Sequence, residues 1–459
     1  MESILDVSPG PLGPLAANRD VDGLASLPAW RLAEMIAGQE VSPVEVTEAV
    51  LERIDALDGQ VRAFRTVAAE AARKSAREAE AAVREGRPLG LLHGVPLALK
   101  EHIPVAGCNY WNSFDGSHSI VSHDGIEAER LRAAGAILVG TTVAGLTARE
   151  FGAERGQPEN AWSNGRVCGD SSSGCAAAVA AGLVPAAVAV DGLGSTRLPA
   201  AFCGLVGLNP TRGRIPWSSD WAINPRLLSN PGPLTTNARD AAILMQVLAG
   251  PDGRDLMSRP DAPPDYLIGL GKGLAGLNLA WSDDPFEAFA CAGPQAADAI
   301  AAVRSASQRL VAGGARLESI ADRLEGAASS ALAILGADRT MATRSEAASD
   351  VVMRAKLGRK RAIDWFDELF SRYDALVTPT IQYVAPSREE WALAWADPGY
   401  MLTYAAHTAA SNLTGYPAIS VPAGLVDGMP VGIQFWGPPD SEPLLLRMAE
   451  AFIEMEPSA

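Results

Sequence analysis

Short apolar segments alternate with helical segments along most of this chain, and this alternation restricts its fold more than any other feature. Residues 94–100, 136–139 and 186–190 are apolar runs of strand length, whereas residues 126–134 and 176–181 have helical character. Alternation of this kind predicts an α/β protein whose sheet is largely internal.

The same alternation continues on both sides of this region. Ser42-Pro43-Val44-Glu45 combines a capping Ser, Pro at the first helical position and Glu at the third, and therefore predicts a helix. A second helix is predicted over residues 66–84, where Ala, Glu, Arg and Lys dominate. The other predicted strands are 277–281, 316–320, 376–379, 418–422 and 431–435, and the other predicted helices are 238–248, 296–312 and 443–455.

No repeat or low-complexity linker divides the chain. Its 459 residues are therefore predicted to form one interlocked domain, residues 1–459. Residues 1–25 are rich in Pro, Gly and Asp, and we expect them to form an N-terminal surface segment. A homodimer is the expected oligomer because two-fold symmetry is so common among soluble assemblies.

Charge and cysteine usage exclude several classes of partner. A formal net charge of −16 argues against nucleic acid or an anionic membrane surface as a main partner. The N-terminus does not resemble a signal peptide, and no apolar run is long enough to cross a bilayer. The five cysteines are scattered and odd in number, as in proteins that keep their thiols reduced. We therefore expect a cytoplasmic protein.

Metal and nucleotide cofactors are not expected. The five histidines lack the spacing of metal ligands, and no Cys-x-x-Cys pair occurs. Residues 271–276 match G-x-G-x-x-G, but no predicted strand precedes them and no helix follows. We interpret them as a loop, because that motif binds a dinucleotide only between a strand and a helix.

Two turns of small residues carry the chemistry. Residues 169–174 read Gly-Asp-Ser-Ser-Ser-Gly and precede an Ala-rich run, so their amides are expected at a helix N-terminus. In the second turn, Ser195 follows Gly192-Leu193-Gly194, a run of successive N–H groups suited to an oxyanion hole. Asp191 and Arg197 flank this turn and are expected to pin it.

Lys100 ends an apolar run upstream of both turns. With Ser171 and Ser195 it supplies a nucleophile, a relay and a base without histidine, which favours acyl transfer. A free lysine is a poor base at neutral pH, but burial lowers its pKa. A decrease of ~3 units corresponds to about 4 kcal/mol. The alternative is a lysine whose ammonium reaches solvent from the strand end.

Taken together, these residues resemble the amidase signature family of serine hydrolases. The resemblance covers most of the chain, and its fold is one α/β domain with a large mixed sheet covered by helices on both faces. The matching segments are residues 94–100, both serine turns, 200–208, 210–214, 232–234, 378–380 and 415–424.

The resemblance implies a role for each residue of the motif. Ser195 would be the nucleophile that forms an acyl-enzyme, and Ser171 would relay its proton to Lys100, the base. In that family the peptide bond before the relay serine is cis. The N–H groups of Gly192, Leu193, Gly194 and Ser195 would hold the oxyanion. The supporting residues would be Ser172, Asp191 and Arg197.

The implied activity is hydrolysis of carbon–nitrogen bonds in linear amides, without a cofactor. Alternatives on the same fold are an acyltransferase, an amidotransferase-type subunit that supplies ammonia to a partner, or a catalytically weakened homologue that binds an amide.

This chain departs from the family pattern inside both turns. Asp170 and Ser173 replace glycines in the first turn; Leu193 replaces a glycine and Thr196 an aliphatic residue in the second. The Leu193 side chain excludes conformations open to glycine. An ionised Asp170 would place a negative charge beside the relay and raise the pKa of Lys100.

Candidate substrate contacts are Asp170, Tyr110 and Trp111, which lie in or after the motif segments. The family pattern also places four tryptophans near the entrance: Trp217, Trp221, Trp391 and Trp395. An aromatic pocket favours a small or medium apolar or aryl amide. The alternative is that these aromatic residues belong to the ordinary core and surface.

Overall fold

A mixed sheet of eleven strands forms the centre of the computed structural model. The structure describes residues 23–112, 117–145, 156–217, 228–286, 295–340, 346–397 and 400–455. Its strands are β1 (Phe64–Val67), β2 (Pro96–Lys100), β3 (Asn109–Asn112), β4 (Ser117–Ile120), β5 (Ile137–Thr142), β6 (Ala186–Asp191), β7 (Val206–Asn209), β8 (Asn230–Thr235), β9 (Asn278–Trp281), β10 (Arg316–Ser319), β11 (Ala375–Pro379), β12 (Ala418–Val426) and β13 (Met429–Trp436).

The strand order in the large sheet is β1-β5-β2-β6-β8-β7-β12-β13-β11-β9-β10, and β3 and β4 form a separate hairpin. Strands β5, β2 and β6 are parallel, as are β11, β9 and β10, whereas the strands between these groups pair antiparallel. Because β2 and β6 are parallel neighbours, their carboxyl ends lie at the same edge of the sheet. The ends of these two strands carry Lys100 and Asp191.

Helices cover both faces of this sheet. Every residue of β2, β5, β6, β8, β11 and β13 is buried. Since successive side chains of a strand point to opposite faces, both faces are covered. The predicted α/β class is confirmed. The helices are α1 (Ala29–Ala37), α2 (Pro43–Val61), α3 (Ala69–Arg84), α4 (Ile126–Ala133), α5 (Ser173–Ala180), α6 (Arg197–Cys203), α7 (Ala238–Leu248), α8 (Gln295–Ala312), α9 (Ala327–Thr340), α10 (Glu346–Phe370), α11 (Arg388–Ala396), α12 (Tyr400–Ala405), α13 (Ala409–Thr414) and α14 (Glu442–Glu454).

Local sequence explains how α2 begins. The Ser42 side chain accepts a hydrogen bond from the Glu45 amide, and the Glu45 side chain accepts one from the Ser42 amide. Val46, Val50 and Ile54 then follow at helical spacing and are buried. The capped helix predicted from this pattern is confirmed.

Two predicted boundaries are wrong. Thr66 and Val67 belong to β1 rather than to the helix predicted over 66–84, because they pair with Thr141 and Gly140 of β5. Ala25 is 6% exposed and lies in a short 3-10 helix, Leu24–Ser26, that packs into the core. Residues 1–22 of the expected surface segment lie outside the described residues.

The region from residue 271 to residue 276 forms a loop, as predicted, and leads directly into β9. Within the described ranges, no helix has both the length and the apolar character needed to span a membrane.

Candidate active site

The lysine and the two serines lie together at the edge of the sheet. Lys100 Nζ donates to Ser171 Oγ at 2.7 Å, and Ser171 Oγ donates to Ser195 Oγ at 2.9 Å. Ser171 precedes helix α5, and Ser195 follows strand β6. Two turns that are 24 residues apart in sequence therefore meet at one strand end, and a continuous row of hydrogen bonds connects them.

Lys100 is buried rather than extended to solvent. It is 2% exposed, so the alternative in which its ammonium reaches water does not hold. Burial lowers its pKa from the ordinary value of 10.5 to about 8, although nearby negative groups, including Asp170 and Asp191, act in the opposite direction. A lysine of this kind changes protonation state close to neutral pH.

Three acceptors surround the Lys100 amine. Besides Ser171, it donates to Ser172 Oγ at 2.9 Å and to the Val190 carbonyl at 3.3 Å. Ser172 Oγ in turn donates to the same carbonyl at 3.2 Å. Ser172 therefore fixes the position of the amine.

An ion pair without solvent contact holds the second turn. Arg197 and Asp191 are both 0% exposed, with Nε to Oδ2 and Nη2 to Oδ1 distances of 3.0 Å. Burial acts to raise the pKa of Asp191, but the Arg197 charge and several hydrogen bonds more than offset it, so that this pKa lies below its usual value. The carboxylate is thus ionised and pins the turn.

Residues far along the chain complete this network. The Arg197 guanidinium also donates to Gln434 Oε1, to the Thr408 carbonyl and to Asn412 Oδ1, at 2.8–3.0 Å. Asn412 Nδ2 donates to Asp191 Oδ1 at 3.0 Å. Sequence reasoning missed all three partners, because each lies more than 200 residues from the turn.

One of the four predicted oxyanion donors is engaged elsewhere. The Gly194 N–H donates to Asp191 Oδ1 at 2.7 Å and is therefore not available to an oxyanion. The predicted oxyanion site therefore rests on the amides of Gly192, Leu193 and Ser195. Leu193 has a negative φ, so a leucine fits there without backbone strain. Its side chain is buried in a hydrophobic cluster.

Gly194 is needed for two reasons. Its φ is +124°, and a Cβ at this position would lie 2.3 Å from Thr408 Oγ1 and 2.8 Å from Leu198 Cδ1. Thr408 cannot easily retreat, because its hydroxyl donates to the Leu193 carbonyl.

We expect Gly194→Ala to destabilise the protein more than Gly428→Ala does. Gly428 also has a positive φ of +74°, but no atom lies within 4 Å of its Cβ position. Positive φ costs an alanine about 1–2 kcal/mol at Gly428, and at least as much at Gly194, whose φ lies outside the left-handed helical region. Overlap adds about 1–3 kcal/mol at Gly194 alone. Urea unfolding of both variants measures the difference, and equal shifts would contradict the predicted overlap.

Asp170 contacts Ser195 directly. The carboxyl is 6% exposed, and its Oδ1 accepts from Ser195 Oγ at 2.6 Å and from the Ser171 amide. Burial raises its pKa, while these hydrogen bonds and the Lys100 charge act in the opposite direction. The sequence placed Asp170 among the candidate substrate contacts; the structure places it next to Ser195, at the end of the row of hydrogen bonds that begins at Lys100.

The cis bond expected before Ser171 is not found. The Asp170–Ser171 peptide bond is trans, and no cis bond occurs within the described residues. At this bond the chain differs from the family pattern in the Asp170 side chain, whose Oδ1 accepts a hydrogen bond from the Ser171 N–H. Trans is also the ordinary state of a bond between two non-proline residues.

The aromatic candidates divide into two groups. Tyr110 and Trp111 are 4% and 8% exposed in the β3–β4 hairpin. The Trp111 ring packs on His102 and stacks on His118, at centroid distances of 4.7 and 5.9 Å. Its amide donates to the carbonyl of Glu101, the residue after Lys100. These residues support the strand end that carries the lysine.

The second group includes tyrosines that sequence reasoning missed. Trp391 and Trp395 pack edge-on against Tyr404, at 5.1 and 5.8 Å, and Tyr400 stacks on Tyr404 at 5.9 Å. Tyr383 and Tyr400 share a hydrogen bond of 2.9 Å between their hydroxyls. We call these five residues the aromatic cluster. Spacings of four residues in helices α11 and α12 were the available sequence signal.

The charge of Asp170 acts on the three tyrosines of the aromatic cluster. Burial raises the pKa of all three tyrosines, and the negative charge of Asp170 raises each of them further. Trp217, in contrast, is 3% exposed in the main core, and its amide donates to Asp255. Trp221 lies outside the described residues.

Comparison with known proteins adds independent evidence. The amidase family model matches residues 45–335 and 336–446. The chain is 34% identical to a glutamyl-tRNA(Gln) amidotransferase subunit of Symbiobacterium thermophilum, over 93% of this chain and 96% of that protein. It is 30% identical to an acylamidase of Rhodococcus erythropolis, over 94% and 96% of the two chains.

A solved structure shows the same fold. The crystal structure of the corresponding glutamyl-tRNA(Gln) amidotransferase subunit from Thermotoga maritima is similar with a TM-score of 0.78 and 27% identity, over 95% of this chain and 96% of that chain.

Proposed function

The chain belongs to the amidase signature family, and on that basis we propose that it hydrolyses an amide through an acyl-enzyme on Ser195. The observation that supports this most is the row of hydrogen bonds from Lys100 through Ser171 to Ser195 in a buried site. Such a row can move a proton from a weak nucleophile to a base without exchange with solvent.

In the first half of the reaction, Ser195 Oγ attacks the amide carbonyl. Its proton passes to Ser171, whose own proton passes to the neutral amine of Lys100. The carbonyl electron pair moves to the oxygen, where the amides of Gly192, Leu193 and Ser195 stabilise the negative charge. Lys100 then returns its proton through Ser171 to the leaving amine, and the carbon–nitrogen bond breaks.

In the second half, water attacks the ester on Ser195. Ser171 and Lys100 accept the proton of the water molecule and then give a proton back to Ser195 Oγ. The products are a carboxylic acid and an amine, so the overall reaction needs no cofactor.

The aromatic cluster suggests the substrate class. Its tyrosines lie near enough to Asp170 for the carboxylate charge to raise their pKa, and Asp170 contacts Ser195. Aromatic walls bury apolar groups efficiently and orient rings edge-on. We therefore propose a small or medium amide with an apolar or aryl group.

A fluorophosphonate probe tests the nucleophile directly. We expect one covalent adduct on Ser195, identified by intact mass and peptide mapping, and no adduct in Ser195→Ala. Lys100→Met should label at least about 100-fold more slowly, since general base catalysis typically contributes at least this much. If the wild-type protein stays unlabelled under conditions in which the probe labels a known serine amidase, the proposal is contradicted.

A role as an amidotransferase component is the second candidate. The 34% identity to a glutamyl-tRNA(Gln) amidotransferase subunit over 93% of the chain supports it. The acyl-enzyme chemistry is the same, but the released ammonia would pass to a partner enzyme. Turnover of an aryl amide panel by the isolated chain favours the hydrolase, whereas ammonia release that requires added partner subunits favours the amidotransferase.

A further inference from the structure

The Asp170 carboxyl lies at the opposite end of the relay from Lys100. Three successive hydrogen bonds connect the two groups: Lys100 to Ser171 at 2.7 Å, Ser171 to Ser195 at 2.9 Å and Ser195 to Asp170 at 2.6 Å. An amine and a carboxyl thus terminate one continuous row. The hydrolytic mechanism proposed above uses Lys100, Ser171 and Ser195 but not Asp170.

An ionised Asp170 dictates the direction of every hydrogen bond in this row. A carboxylate only accepts, so Ser195 must give it its single proton. Ser171 then donates to Ser195, and Lys100 donates to Ser171. In this arrangement the proton of the nucleophile points away from the base, and attack is not assisted.

The contacts of Lys100 fit the same ionised state. An ammonium has three protons, and the three acceptors around it are Ser171, Ser172 and the Val190 carbonyl. Before it acts as a base, the amine must lose one of these protons. Because it is 2% exposed, exchange with bulk water is not the direct route.

We propose that Asp170 is the group that takes this proton, through the two serine hydroxyls. One proton moves from Lys100 Nζ to Ser171 Oγ, a second from Ser171 Oγ to Ser195 Oγ, and a third from Ser195 Oγ to Asp170 Oδ1. One N–H and two O–H bonds break while three O–H bonds form, so the protein gains and loses no proton.

After the transfer, both ends of the row are neutral and every hydrogen bond is reversed. The Asp170 carboxyl donates to Ser195, Ser195 donates to Ser171, and Ser171 donates to the lone pair of Lys100. The proton of the nucleophile now points toward the base. This inference rests on the proposed function, because it assigns a role to Asp170 in the activation of Ser195.

Burial favours the neutral pair at both ends. It lowers the pKa of Lys100 to about 8 and raises the pKa of Asp170, and both changes oppose the ionised forms. The other titratable groups that face the pair are Cys175, Asp191, Glu101, Tyr383, Tyr400 and Tyr404.

These neighbouring groups are either ion-paired or neutral near pH 7, so they add little net charge next to Lys100 and Asp170. Asp191 is paired with Arg197 at 3.0 Å, and Glu101 with Arg65 at 2.8 Å. Burial raises the pKa of the Cys175 thiol to about 11 and raises that of each tyrosine, so all four stay neutral near pH 7. Lys100 and Asp170 therefore balance each other.

The rate of Ser195 labelling by a fluorophosphonate probe, measured from pH 6 to pH 8, tests this inference. The active and resting forms of the wild type hold the same number of protons, so we expect its rate to change by less than about threefold. In Asp170→Asn, Lys100 must lose its proton to solvent, and its pKa falls further because the negative charge that raised it is gone. The profile of this variant is therefore extended to pH 5, and we expect its rate to rise about tenfold per pH unit below the pKa of the lysine.

Two further variants make the result decisive. Asp170→Gly removes the carboxyl altogether and should show the same steep slope. It replaces Asp170→Asn as the test if the asparagine variant folds poorly. Asp427→Asn changes an exposed aspartate in the turn between β12 and β13 and should keep the shallow wild-type profile. Parallel profiles for wild type and both Asp170 variants overturn the proton-acceptor role. Failure of the wild type to label on Ser195 at any pH instead overturns the proposed function.

Discussion

Ser195→Ala is expected to lower kcat/KM for an amide substrate by at least about 10⁴-fold while leaving the fold intact. The substitution removes the oxygen that forms the acyl-enzyme, so only binding and oxyanion stabilisation remain. Removing one hydroxyl from its contacts with Ser171 and Asp170 costs about 1–3 kcal/mol, which a folded protein of this size tolerates. Steady-state kinetics on the amide that wild type turns over fastest, together with thermal unfolding, measures both effects.

Ser371→Ala is the matched control for this experiment. Ser371 is exposed just after helix α10, and its hydroxyl donates to the nearby Glu368 carbonyl. We expect wild-type kinetics and an unchanged Tm. If a verified Ser195→Ala preparation keeps more than about 1% of wild-type activity, this serine is not the nucleophile. Removal of a catalytic triad residue lowers kcat far more than about 100-fold.

Arg197→Met is expected to reduce the free energy of unfolding by about 3–5 kcal/mol. Asp191 would lose its counter-charge while remaining without solvent contact, and the partners Gln434 and Asn412 would each lose a donor. The penalty comes mainly from the uncompensated buried carboxylate rather than from the lost contacts themselves. Urea unfolding at pH 7.5 measures it.

The exposed pair Lys360–Asp364 supplies the comparison. Its side chains are 68% and 57% exposed, and Lys360→Met should cost no more than about 0.5 kcal/mol.

The effect of Arg197→Met on stability should also depend on pH. In wild type the pKa of Asp191 is lowered, so its stabilisation is present above the unfolded pKa and is lost as pH falls. Without Arg197 the pKa of Asp191 rises, so protonation of Asp191 removes the uncompensated buried charge. Wild type and Arg197→Met should therefore become more similar in stability toward pH 4. A loss below about 1 kcal/mol at pH 7.5 would contradict this view of the ion pair.

Local chemistry explains why the grouping of Lys100, Ser171 and Ser195 was predictable. Ser171, Ser195 and Lys100 stand in turns and at a strand end whose residue types and spacing are specific to one chemistry. The cap at Ser42 was predictable for a similar reason, because its donors and acceptors lie within three residues.

Strand β8 shows where local patterns mislead. Pro231 and Pro233 argue against a central strand, and β8 was not predicted. In the structure the residues of β8 from 230 to 233 pair with β6 alone, whereas β7 pairs only with residues 234 and 235. The prolines are tolerated because this half of the strand has one partner.

By itself, the sequence determined the fold class and the two turns that carry Ser171 and Ser195, since these depend on residue type and on spacing over a few residues. Only the tertiary structure decided that Asp170 faces Ser195, that the Gly194 amide donates to Asp191, and that Trp391 and Trp395 pack on Tyr404. These contacts depend on which strands become neighbours in the sheet. That choice is made by packing of the whole core, and no local periodicity encodes it.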